Sequence, residues 1–480
     1  MIERNITMLT DFYELTMANG YLEKGMADRY AYFDMFFRRV PDKGGYAIMA
    51  GVEQLIEYFK NLRFTDADID YLRSKACFSE KFLDYLKNFQ FQCDVWAVPE
   101  GTPIFPGEPI VTVAGPMIQA QFVETAILLT INHQTLIATK ASRITKAAKG
   151  RTVLEFGSRR AQGYDAAILG ARAAYIGGCG GTACVMADRD YRIPAGGTMA
   201  HSWVQMFDSE YEAFVSYADV YPDNCIFLVD TYNVLKSGVP TAIRVAKEVL
   251  EPRGIKLKGI RLDSGDIAYL SIMARKMLDE AGLPDVQIMA SNSLDEFLVE
   301  ALMNQGAKID SFGIGERLIT SKSEPVFGGV YKLVAVDDKH GNIVPKIKIS
   351  ENVEKITTPH YKTLYRLFDN DTGKAIADVM TTFDEEIDDS KPYVIFHPIY
   401  TWKKRTVTNF TAKKLLVKLF EKGKCVYESP SIEEIKAHCQ EQLGTLWSEI
   451  TRFNNPQTYY VDLSEKLWEI KTKLLEESKF

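Results

Sequence analysis

The sequence predicts an α/β protein in which a central β/α barrel lies between an N-terminal α+β domain and a C-terminal extension. Two observations support the barrel. In the predicted barrel domain, 131–335, the chain repeats one unit from about residue 150 onward, an apolar strand with a polar or glycine end followed by an amphipathic helix, which indicates right-handed crossovers and a parallel sheet. Seven such strands, nearly all with polar or glycine ends, favour a closed barrel over an open doubly wound sheet.

The repeated unit can be followed along the chain. We predict strands in TVLEFGSR (152–159), AYIGGCGG (174–181), TMAHSW (198–203), CIFLVDTY (225–232), KGIRLDSGD (258–266), VQIMASNS (286–293) and KIDSFGIG (308–315). Amphipathic helices are predicted between most of them, at 239–250, 267–282 and 294–306.

The flanking regions have different patterns. Residues 1–130 mix amphipathic helices such as GVEQLIEYFKNL with short strands and Gly/Pro turns, which indicates an α+β domain. Residues 336–480 are first charged and strand-like and then form an amphipathic tail. We interpret their charge runs as solvated surface and place no chemistry there.

Composition excludes several classes of function. The chain has 480 residues, of which 46% are hydrophobic and 25% charged, and its net charge is −7. Nucleic-acid and membrane-surface binders need a basic face, so neither partner is expected. The absence of a signal peptide, of a long apolar stretch and of any CxxC pair among the seven cysteines predicts a cytoplasmic protein with reduced thiols.

The ends of the predicted strands carry the residue types that binding and catalysis need. Because the carboxyl ends of barrel strands converge on one face, we expect them to form one site. In chain order they are Arg159 and Arg160; Gly177, Gly178, Gly180 and Gly181; His201 and Ser202; Asp230; Arg261, Asp263, Ser264 and Asp266; Ser291 and Asn292; and Gly313 and Gly315.

Each residue type suits a chemical task. Arginine binds carboxylate or phosphate through a planar fork, and paired carboxylates can hold ribose hydroxyls or Mg²⁺. Glycines and small polar residues that open a helix let backbone amides approach a phosphate. SNSLDE also predicts a capping box from Ser293 to Glu296, which places Ser291 and Asn292 where an anion would bind.

Plainer interpretations remain open for single motifs. The GGCGGT stretch is compatible with a tight turn, an aspartate at a strand end with a helix cap, and a lone histidine with a structural role. The sequence has neither a GxxxxGK[ST] loop nor a GxGxxG motif opening a βαβ unit, so neither a P-loop ATPase nor a Rossmann dehydrogenase is supported.

Nine motifs, in order along nearly the whole chain, resemble the nicotinate phosphoribosyltransferase family. They are LTDFYELTMANGY, FFRRVP, EFGSRRAQG, GTMAHSW, LVDTYNVLKSG, GIRLDSGD, SNSLDE, FGIGE and VYKLVAV. The resemblance implies the type II phosphoribosyltransferase fold, an irregular α/β barrel with an N-terminal α+β domain and a C-terminal extension, in a homodimer with shared active sites. It also implies that nicotinate and 5-phosphoribosyl 1-diphosphate give nicotinate mononucleotide and diphosphate, with coupled ATP hydrolysis and Mg²⁺, as the first step of NAD salvage from nicotinate.

The resemblance implies roles for residues that bind substrate. Arg261, with Arg159 or Arg160, would hold the nicotinate carboxylate or the diphosphate, and Thr198 would contact the pyridine acid. Asp263 would hold ribose hydroxyls, with Asp266 supporting its loop. Ser291, Asn292 and the amides of Gly313 and Gly315 would receive the 5-phosphate, and Tyr13 would stack on the ring. Glu316 stands where some members carry a small hydroxyl residue, so a side-chain contact to the phosphate is not expected there.

His201 matches the family's phosphorylated histidine, and a neutral imidazole nitrogen is a competent nucleophile. Asp230 is expected to orient its other ring nitrogen, as the carboxylate of a catalytic triad does.

Two other functions are alternatives to nicotinate phosphoribosyltransferase activity. A nicotinamide phosphoribosyltransferase shares the fold and mechanism, but amide-using relatives place an aspartate where this chain has Ala183. A barrel that binds a sugar phosphate without turnover belongs to a different class of function. The presence of His201 and of the RLDSGD carboxylates argues against it.

Overall fold

The computed structural model describes residues 5–400 and 402–477 and divides the chain into two compact units. The first unit comprises Met1–Leu136 and Val326–Phe480, and the second comprises Ile137–Pro325. The predicted N-terminal domain, 1–130, and the predicted C-terminal extension, 336–480, both fall within the first unit. No helix in the part of the chain that the structure describes is long and apolar enough to cross a membrane.

The N-terminal part of the chain alternates short strands and helices. Its elements are α1 (Phe12–Glu23), β1 (Tyr30–Phe36), β2 (Ala47–Ile48), α2 (Val52–Asn61), α3 (Asp66–Ser74), α4 (Glu80–Lys87), β3 (Asp94–Ala97), β4 (Pro103–Ile104), β5 (Val111–Pro116), α5 (Met117–Phe122) and α6 (Glu124–Ala147), which continues past Leu136. Helix α2 confirms the amphipathic pattern of GVEQLIEYFKNL, since Leu55, Ile56 and Phe59 are buried.

The second unit repeats strands and helices as predicted. Its elements are β6 (Thr152–Glu155), α7 (Tyr164–Ile176), β7 (Gly181–Thr182), α8 (Val185–Tyr191), α9 (His201–Gln205), α10 (Glu210–Val220), β8 (Ile226–Leu228), α11 (Val239–Val245), β9 (Gly259–Leu262), α12 (Ile267–Glu280), β10 (Gln287–Asn292), α13 (Glu296–Asn304), β11 (Ser311–Ile314) and α14 (Glu316–Ile319). Two π-helical turns, Val234–Gly238 and Ala246–Leu250, flank α11.

The six strands of the second unit form one parallel sheet in the order β7-β6-β11-β10-β9-β8. Its central strands are apolar, and Ile260, Ile288 and Phe312 are fully buried. Such runs are typical of a parallel sheet with both faces covered. The α/β class and the parallel arrangement are therefore confirmed, with β7 and β8 at the two ends of the sheet.

Two of the seven predicted strands are wrong. Most of AYIGGCGG belongs to the end of α7 and to the turn after it, and TMAHSW runs irregularly into α9. Gly177 ends α7 where a Cβ atom would lie 2.3 Å from the carbonyl oxygen of Ala138, so only glycine fits this approach to α6. Short apolar runs do not distinguish a buried helix end from a strand, which explains the error.

The C-terminal part of the chain is mostly β structure. Its elements are β12 (Val330–Asp337), β13 (Ile343–Pro345), β14 (Lys362–Asp369), β15 (Ala375–Thr382), β16 (Tyr393–Phe396), β17 (Lys404–Val407), β18 (Phe410–Lys414), β19 (Val417–Glu421), β20 (Lys424–Cys425), α15 (Ile432–Thr445), α16 (Ser448–Thr451), β21 (Val461–Leu463) and α17 (Glu465–Glu477).

Strands from both parts of the first unit pair with each other. The seven-stranded sheet has the order β13-β12-β1-β5-β3-β19-β20, a six-stranded sheet has the order β17-β16-β21-β15-β14-β18, and β2 pairs with β4. The core of the six-stranded sheet contains a bidentate ion pair, in which Arg366 lies 2.8 Å and 2.6 Å from the two carboxylate oxygens of Asp378. Both side chains are fully buried.

Candidate functional site

Three neighbouring strands of the second unit bring their polar ends together. Asp230 follows β8 and accepts hydrogen bonds through Oδ2 from the Asp263 amide, over 3.0 Å, and from Ser264 Oγ, over 2.6 Å. Ser291, at the end of β10, donates from Oγ to Asp263 Oδ1. Oδ1 of Asp230 is buried and has no hydrogen-bond partner among the described residues. The ends of β8, β9 and β10 thus form one connected acidic cluster.

His201 begins α9 and lies beside this cluster. Its Nε2 is 3.9 Å from Asp263 Oδ2, and its Nδ1 is 3.1 Å from Thr231 Oγ1. The predicted contact between Asp230 and the histidine is not among the contacts of the described residues, because the Thr231 hydroxyl lies at Nδ1 of the ring and donors of the β9 loop bind Oδ2 of Asp230. The hydroxyl of the next residue, Thr231, faces the ring instead. Thr231 was not among the predicted site residues, although it stands in the same LVDTY motif as Asp230.

Arg261 lies on β9 and reaches across to Thr198. Its Nη1 donates to Thr198 Oγ1 over 2.6 Å, and its Nε is buried with no hydrogen-bond partner among the residues described. Burial lowers the pKa of the guanidinium, and the charges of Asp263 and Asp230 oppose this shift. The positive charge of Arg159 adds to the lowering. An arginine with a free N–H group at this position can accept a carboxylate or phosphate.

Arg160 is paired elsewhere. Its Nε lies 3.8 Å from Glu316 Oε2, and Lys322 Nζ donates to Glu316 Oε1 over 2.6 Å. The hydrogen bond from Lys322 is the main reason why the pKa of Glu316 is lowered. Arg160 therefore lies at the start of α14, whereas the charge of Arg159 acts on Arg261.

The end of β10 has an unusual backbone. Asn292 has φ 127°, outside the range that side chains normally adopt, and its Oδ1 accepts from the Ser293 amide over 2.6 Å. The predicted capping box from Ser293 to Glu296 is wrong, because Asp295 caps α13 and accepts from the Leu298 amide. The side-chain bonds of Asn292 and Asp295, together with an ion pair between Asp295 and Arg317, decide this local geometry.

Glu296 has a different role from the one predicted. It is fully buried, and its carboxylate lies 2.9 Å from both Lys140 Nζ and Arg143 Nε. A buried carboxylate needs such partners. They lie about 150 residues away in the sequence, so a local motif could not predict them.

The glycine-rich turn has a structural role. The amides of Gly177, Gly178 and Gly180 donate to the carbonyl oxygens of Ala173, Tyr175 and Val153. Amides that are bonded in this way are not available to a phosphate. The tight-turn interpretation of GGCGGT is therefore the one that the structure supports.

Three further residues were predicted to bind the phosphate or to support a loop, namely Gly313, Gly315 and Asp266. They lie in or next to β11 and α12. Gly313 lies inside β11 and pairs in register with Ser291 and Leu154, and Gly315 follows that strand and precedes α14. Asp266 caps α12 by accepting from the Tyr269 amide over 3.0 Å.

Glu155 is a polar residue at a strand end that the sequence analysis did not single out. It ends β6, is fully buried, and accepts from Thr182 Oγ1 over 2.6 Å and from the Gly157 amide. Burial raises its pKa, while these two hydrogen bonds lower it. The Ala183 amide donates to the main-chain carbonyl of Glu155 over 2.8 Å. The backbone of Glu155 and the bond from Thr182 to its carboxylate together hold the turn that carries Ala183. The sequence feature that could have indicated Glu155 is its position at the end of a predicted strand, directly before FGSRR.

Tyr13 lies in the first unit, on the first turn of α1, and 44% of it is exposed. Burial of its hydroxyl and the nearby Glu124 carboxylate raise the pKa of the phenol. The adjacent Glu14 is buried and accepts hydrogen bonds from Thr10 and from the amide and hydroxyl of Thr125. These bonds tie the first turn of α1 to the start of α6.

Known proteins resemble this chain over nearly its whole length. Residues 8–132 match the nicotinate phosphoribosyltransferase (NAPRTase) N-terminal domain, residues 152–384 the NAPRTase family, and residues 361–471 the C-terminal domain. The nicotinate phosphoribosyltransferase of Bacillus subtilis is 46% identical over 475 residues, covering 99% of this chain and 96% of that protein. The Homo sapiens protein of the same name is 31% identical over 517 residues, covering 96% and 95%.

Solved structures agree with these matches. The crystal structure of human nicotinic acid phosphoribosyltransferase has a TM-score of 0.85 and 30% identity, covering 97% of this chain and 100% of that one. A nicotinate-nucleotide pyrophosphorylase from Pyrococcus furiosus has a TM-score of 0.69 at 24% identity, covering 92% and 96%, which shows a similar fold alone. The resemblance drawn from the nine motifs is confirmed, and this chain belongs to the nicotinate phosphoribosyltransferase family, a family of glycosyltransferases.

Proposed function

We propose that this protein transfers the 5-phosphoribosyl group of 5-phosphoribosyl 1-diphosphate to nicotinate, forming nicotinate mononucleotide and diphosphate. Membership of the family carries this proposal. The acidic cluster of Asp230, Asp263 and Ser291, with His201 and Arg261 beside it, supplies the chemistry that the reaction needs. Nicotinate and the diphosphate are anions, and ribose offers hydroxyl groups to carboxylates.

Arg261 is the residue that we assign to the nicotinate carboxylate or the diphosphate. Its Nε has no partner among the described residues, and its Nη1 is oriented by Thr198, which would contact the pyridine acid. Of the two candidate arginines next to it, Arg159 is favoured, because its charge acts on Arg261 whereas Arg160 lies near Glu316.

The sugar phosphate would lie across the ends of β9, β10 and β11. Asp263 would accept from ribose hydroxyls, and Asp266 would support its loop by capping α12. Ser291, Asn292 and the backbone amide of Gly315 would receive the 5-phosphate, whereas Gly313 lies inside β11 between two paired strands. The lysine and arginine partners of Glu316 support the view that its side chain does not contact the phosphate.

His201 would couple ATP hydrolysis to the transfer. Its Nε2 would attack the γ-phosphorus of ATP, forming a phosphorus–nitrogen bond as the bond to the ADP oxygen breaks. Thr231 supports this role, since a contact at Nδ1 fixes the ring and leaves Nε2 toward the acidic cluster. Water would later take the phosphoryl group from nitrogen and release phosphate.

The acidic cluster fits Mg²⁺ held partly by substrate. Mg²⁺ binds through one or two carboxylates plus phosphate oxygens and water. Asp230 has a buried carboxylate oxygen without a partner among the described residues, and Asp263 is adjacent. The described residues contain no group of three or more His, Cys, Asp or Glu side chains that could hold a metal ion. Substrate oxygens would therefore have to complete the coordination. Bound there, the ion would neutralise charge that develops on the departing diphosphate.

Three further proposals concern organisation. We propose that the strands of the second unit belong to the irregular barrel of type II phosphoribosyltransferases. We also propose a homodimer in which Tyr13 stacks on the substrate ring in the neighbouring subunit's site, and a cytoplasmic location. The human crystal structure with a TM-score of 0.85 supports the first of these proposals.

A coupled assay of the purified protein tests the activity. Nicotinate, nicotinamide and quinolinate are each supplied with 5-phosphoribosyl 1-diphosphate, Mg²⁺ and ATP, and nucleotide formation is measured. We expect turnover with nicotinate and much less with the other two acceptors. Preference for nicotinamide would establish the amide-using alternative, and binding of the sugar phosphate without turnover of any acceptor would establish the non-catalytic one.

A further inference from the structure

The buried carboxylate of Glu155 joins two strand ends of the second unit. Strands β6 and β7 are parallel neighbours, and Glu155 lies opposite Thr182 in their register. Glu155 Oε2 accepts from Thr182 Oγ1 over 2.6 Å, and its Oε1 accepts from the amide of Gly157. Glu155 and Thr182 are both fully buried. One carboxylate therefore holds the end of β7 against the turn that follows β6.

The turn after β6 carries Arg159. Gly157 begins this turn, and its carbonyl oxygen accepts from the Arg160 amide over 2.8 Å. A Cβ atom on Gly157 would lie 2.7 Å from Glu155 Oε1, so a side chain there would push the carboxylate away. Because Arg159 lies between Gly157 and Arg160, the bond from the carboxylate fixes the backbone from which Arg159 extends.

The other end of the link leads to Thr198. The amide and the carbonyl oxygen of Thr182 both bond to the backbone of residues 194–196, over 3.0 Å and 2.8 Å. This segment ends two residues before Thr198, whose hydroxyl accepts from Arg261. Glu155 therefore connects the segment that leads to Thr198 with the turn after β6.

The link depends on a charged carboxylate. Thr182 Oγ1 accepts from the Cys184 amide over 3.0 Å, so its single proton is directed to Glu155 Oε2. The Gly157 amide donates to Oε1, and both carboxylate oxygens thus receive donors. A glutamine at this position would place its NH₂ group against one of the two donors and would lose that bond.

We propose that Glu155 is a positioning residue for the acid substrate, a role that rests on the proposed function. It acts through Arg159 and Thr198, because it keeps in register the two segments that present them to the nicotinate carboxylate. An arginine and a carboxylate bond well only within a narrow range of distance and angle. A shift of either segment should therefore weaken nicotinate binding more than binding of the sugar phosphate, whose proposed contacts lie at the ends of β9, β10 and β11.

The test separates the two Michaelis constants. Thr182→Val removes the hydroxyl but keeps the shape of the side chain, and we expect it to raise the KM for nicotinate by about tenfold, the effect of a lost hydrogen bond to a charged group. The KM for 5-phosphoribosyl 1-diphosphate should remain nearly unchanged. Thr182→Ser keeps the hydroxyl and should restore most of the nicotinate affinity. Glu155→Gln should raise the same KM as Thr182→Val.

Thr112→Val is the matched control. Thr112 is also a buried threonine that donates to a buried carboxylate, Asp34 Oδ1, over 2.7 Å, but it lies in the first unit. This variant should be less stable and leave both KM values unchanged.

Three results would overturn the role of Glu155 alone. They are an unchanged KM for nicotinate in Thr182→Val and Glu155→Gln, a rise in the KM for 5-phosphoribosyl 1-diphosphate that equals or exceeds the rise for nicotinate, and the same kinetic change in Thr112→Val. Absence of nicotinate turnover in the unmodified protein would overturn the proposed function together with this role.

Discussion

Nη1 of Arg261 donates to Oγ1 of Thr198 over 2.6 Å, while Nε of the same guanidinium has no hydrogen-bond partner among the described residues. Thr198 therefore orients the guanidinium but does not satisfy it. An anion that binds here completes the hydrogen bonding of a charged group, whereas a neutral amide would pair with it poorly.

We expect the protein to prefer nicotinate over nicotinamide by roughly tenfold to a hundredfold, because a missing hydrogen bond to a charged group costs about 1.5 to 3 kcal/mol. Ala183→Asp should reduce the preference, since the new carboxylate would repel the substrate's. The measurement is kcat/KM for both substrates in both proteins. Ala183→Asn, which adds similar bulk without charge, is the control, and equal use of acid and amide by the unmodified protein would contradict the assignment.

His201→Asn should abolish ATP hydrolysis and leave slow transfer from the diphosphate donor. The reason is that the variant loses the nitrogen that accepts the γ-phosphoryl group but keeps the substrate-binding residues. Phosphate release and nucleotide formation are measured in parallel. His340→Asn, at an exposed position of a loop in the first unit, serves as the control. ATP hydrolysis that persists at the normal rate in His201→Asn would rule out the phosphohistidine.

Mixing inactive Tyr13→Ala and Asp263→Ala chains should restore part of the activity. If each site combines Tyr13 of one subunit with Asp263 of the other, a hybrid dimer contains one site in which both residues are intact. Activity is measured after the subunits are dissociated and re-associated together, and each variant re-associated alone is the control. Subunit exchange demonstrated without any recovery would count against a shared site.

Arg366→Met should destabilise the protein by about 3 to 5 kcal/mol, because it leaves the fully buried Asp378 carboxylate without its cation. The matched control is Lys466→Met, which breaks an exposed ion pair with Asp384 of 2.7 Å and should cost less than about 1 kcal/mol. Urea unfolding of both variants measures the difference. If both variants lost a similar amount of unfolding free energy, burial of the Arg366–Asp378 pair would not determine how much it stabilises the protein.

Glu14 should make the unfolding free energy decrease as the pH rises. Burial raises its pKa to about 7 from an ordinary value of 4.5, although the hydrogen bonds from Thr10 and Thr125 oppose this shift. Between these two values the folded state binds more protons than the unfolded state, so raising the pH favours unfolding.

The measurement compares Glu14→Gln with the unmodified protein by urea unfolding from about pH 5 to about pH 8. The stability of the unmodified protein relative to the variant should decrease up to about pH 7 and then become constant. Glu23→Gln, an exposed position near the other end of the same helix, controls for loss of a carboxyl. A difference that does not change with pH would show that Glu14 titrates alike in both states.

Much of the second unit could be predicted because its signals are local. Each run such as KGIRL or VQIMA is apolar over the length of a strand and is followed by an amphipathic helix, so five of the seven strands and the three helices named in advance are present. The two errors, at AYIGGCGG and TMAHSW, occurred where an apolar run was too short to separate a helix end from a strand.

By itself, the sequence determined the α/β class, the family and the presence of His201, Asp263 and Arg261 at or beside the ends of the strands, since hydrophobic periodicity and motif order are properties of neighbouring residues. Only the tertiary structure decided which groups become partners. It pairs His201 with Thr231 rather than Asp230, and it brings Glu296 to Lys140. The physical reason is that a hydrogen bond or ion pair depends on distances of about 3 Å between atoms that lie far apart along the chain, and no local pattern encodes such distances.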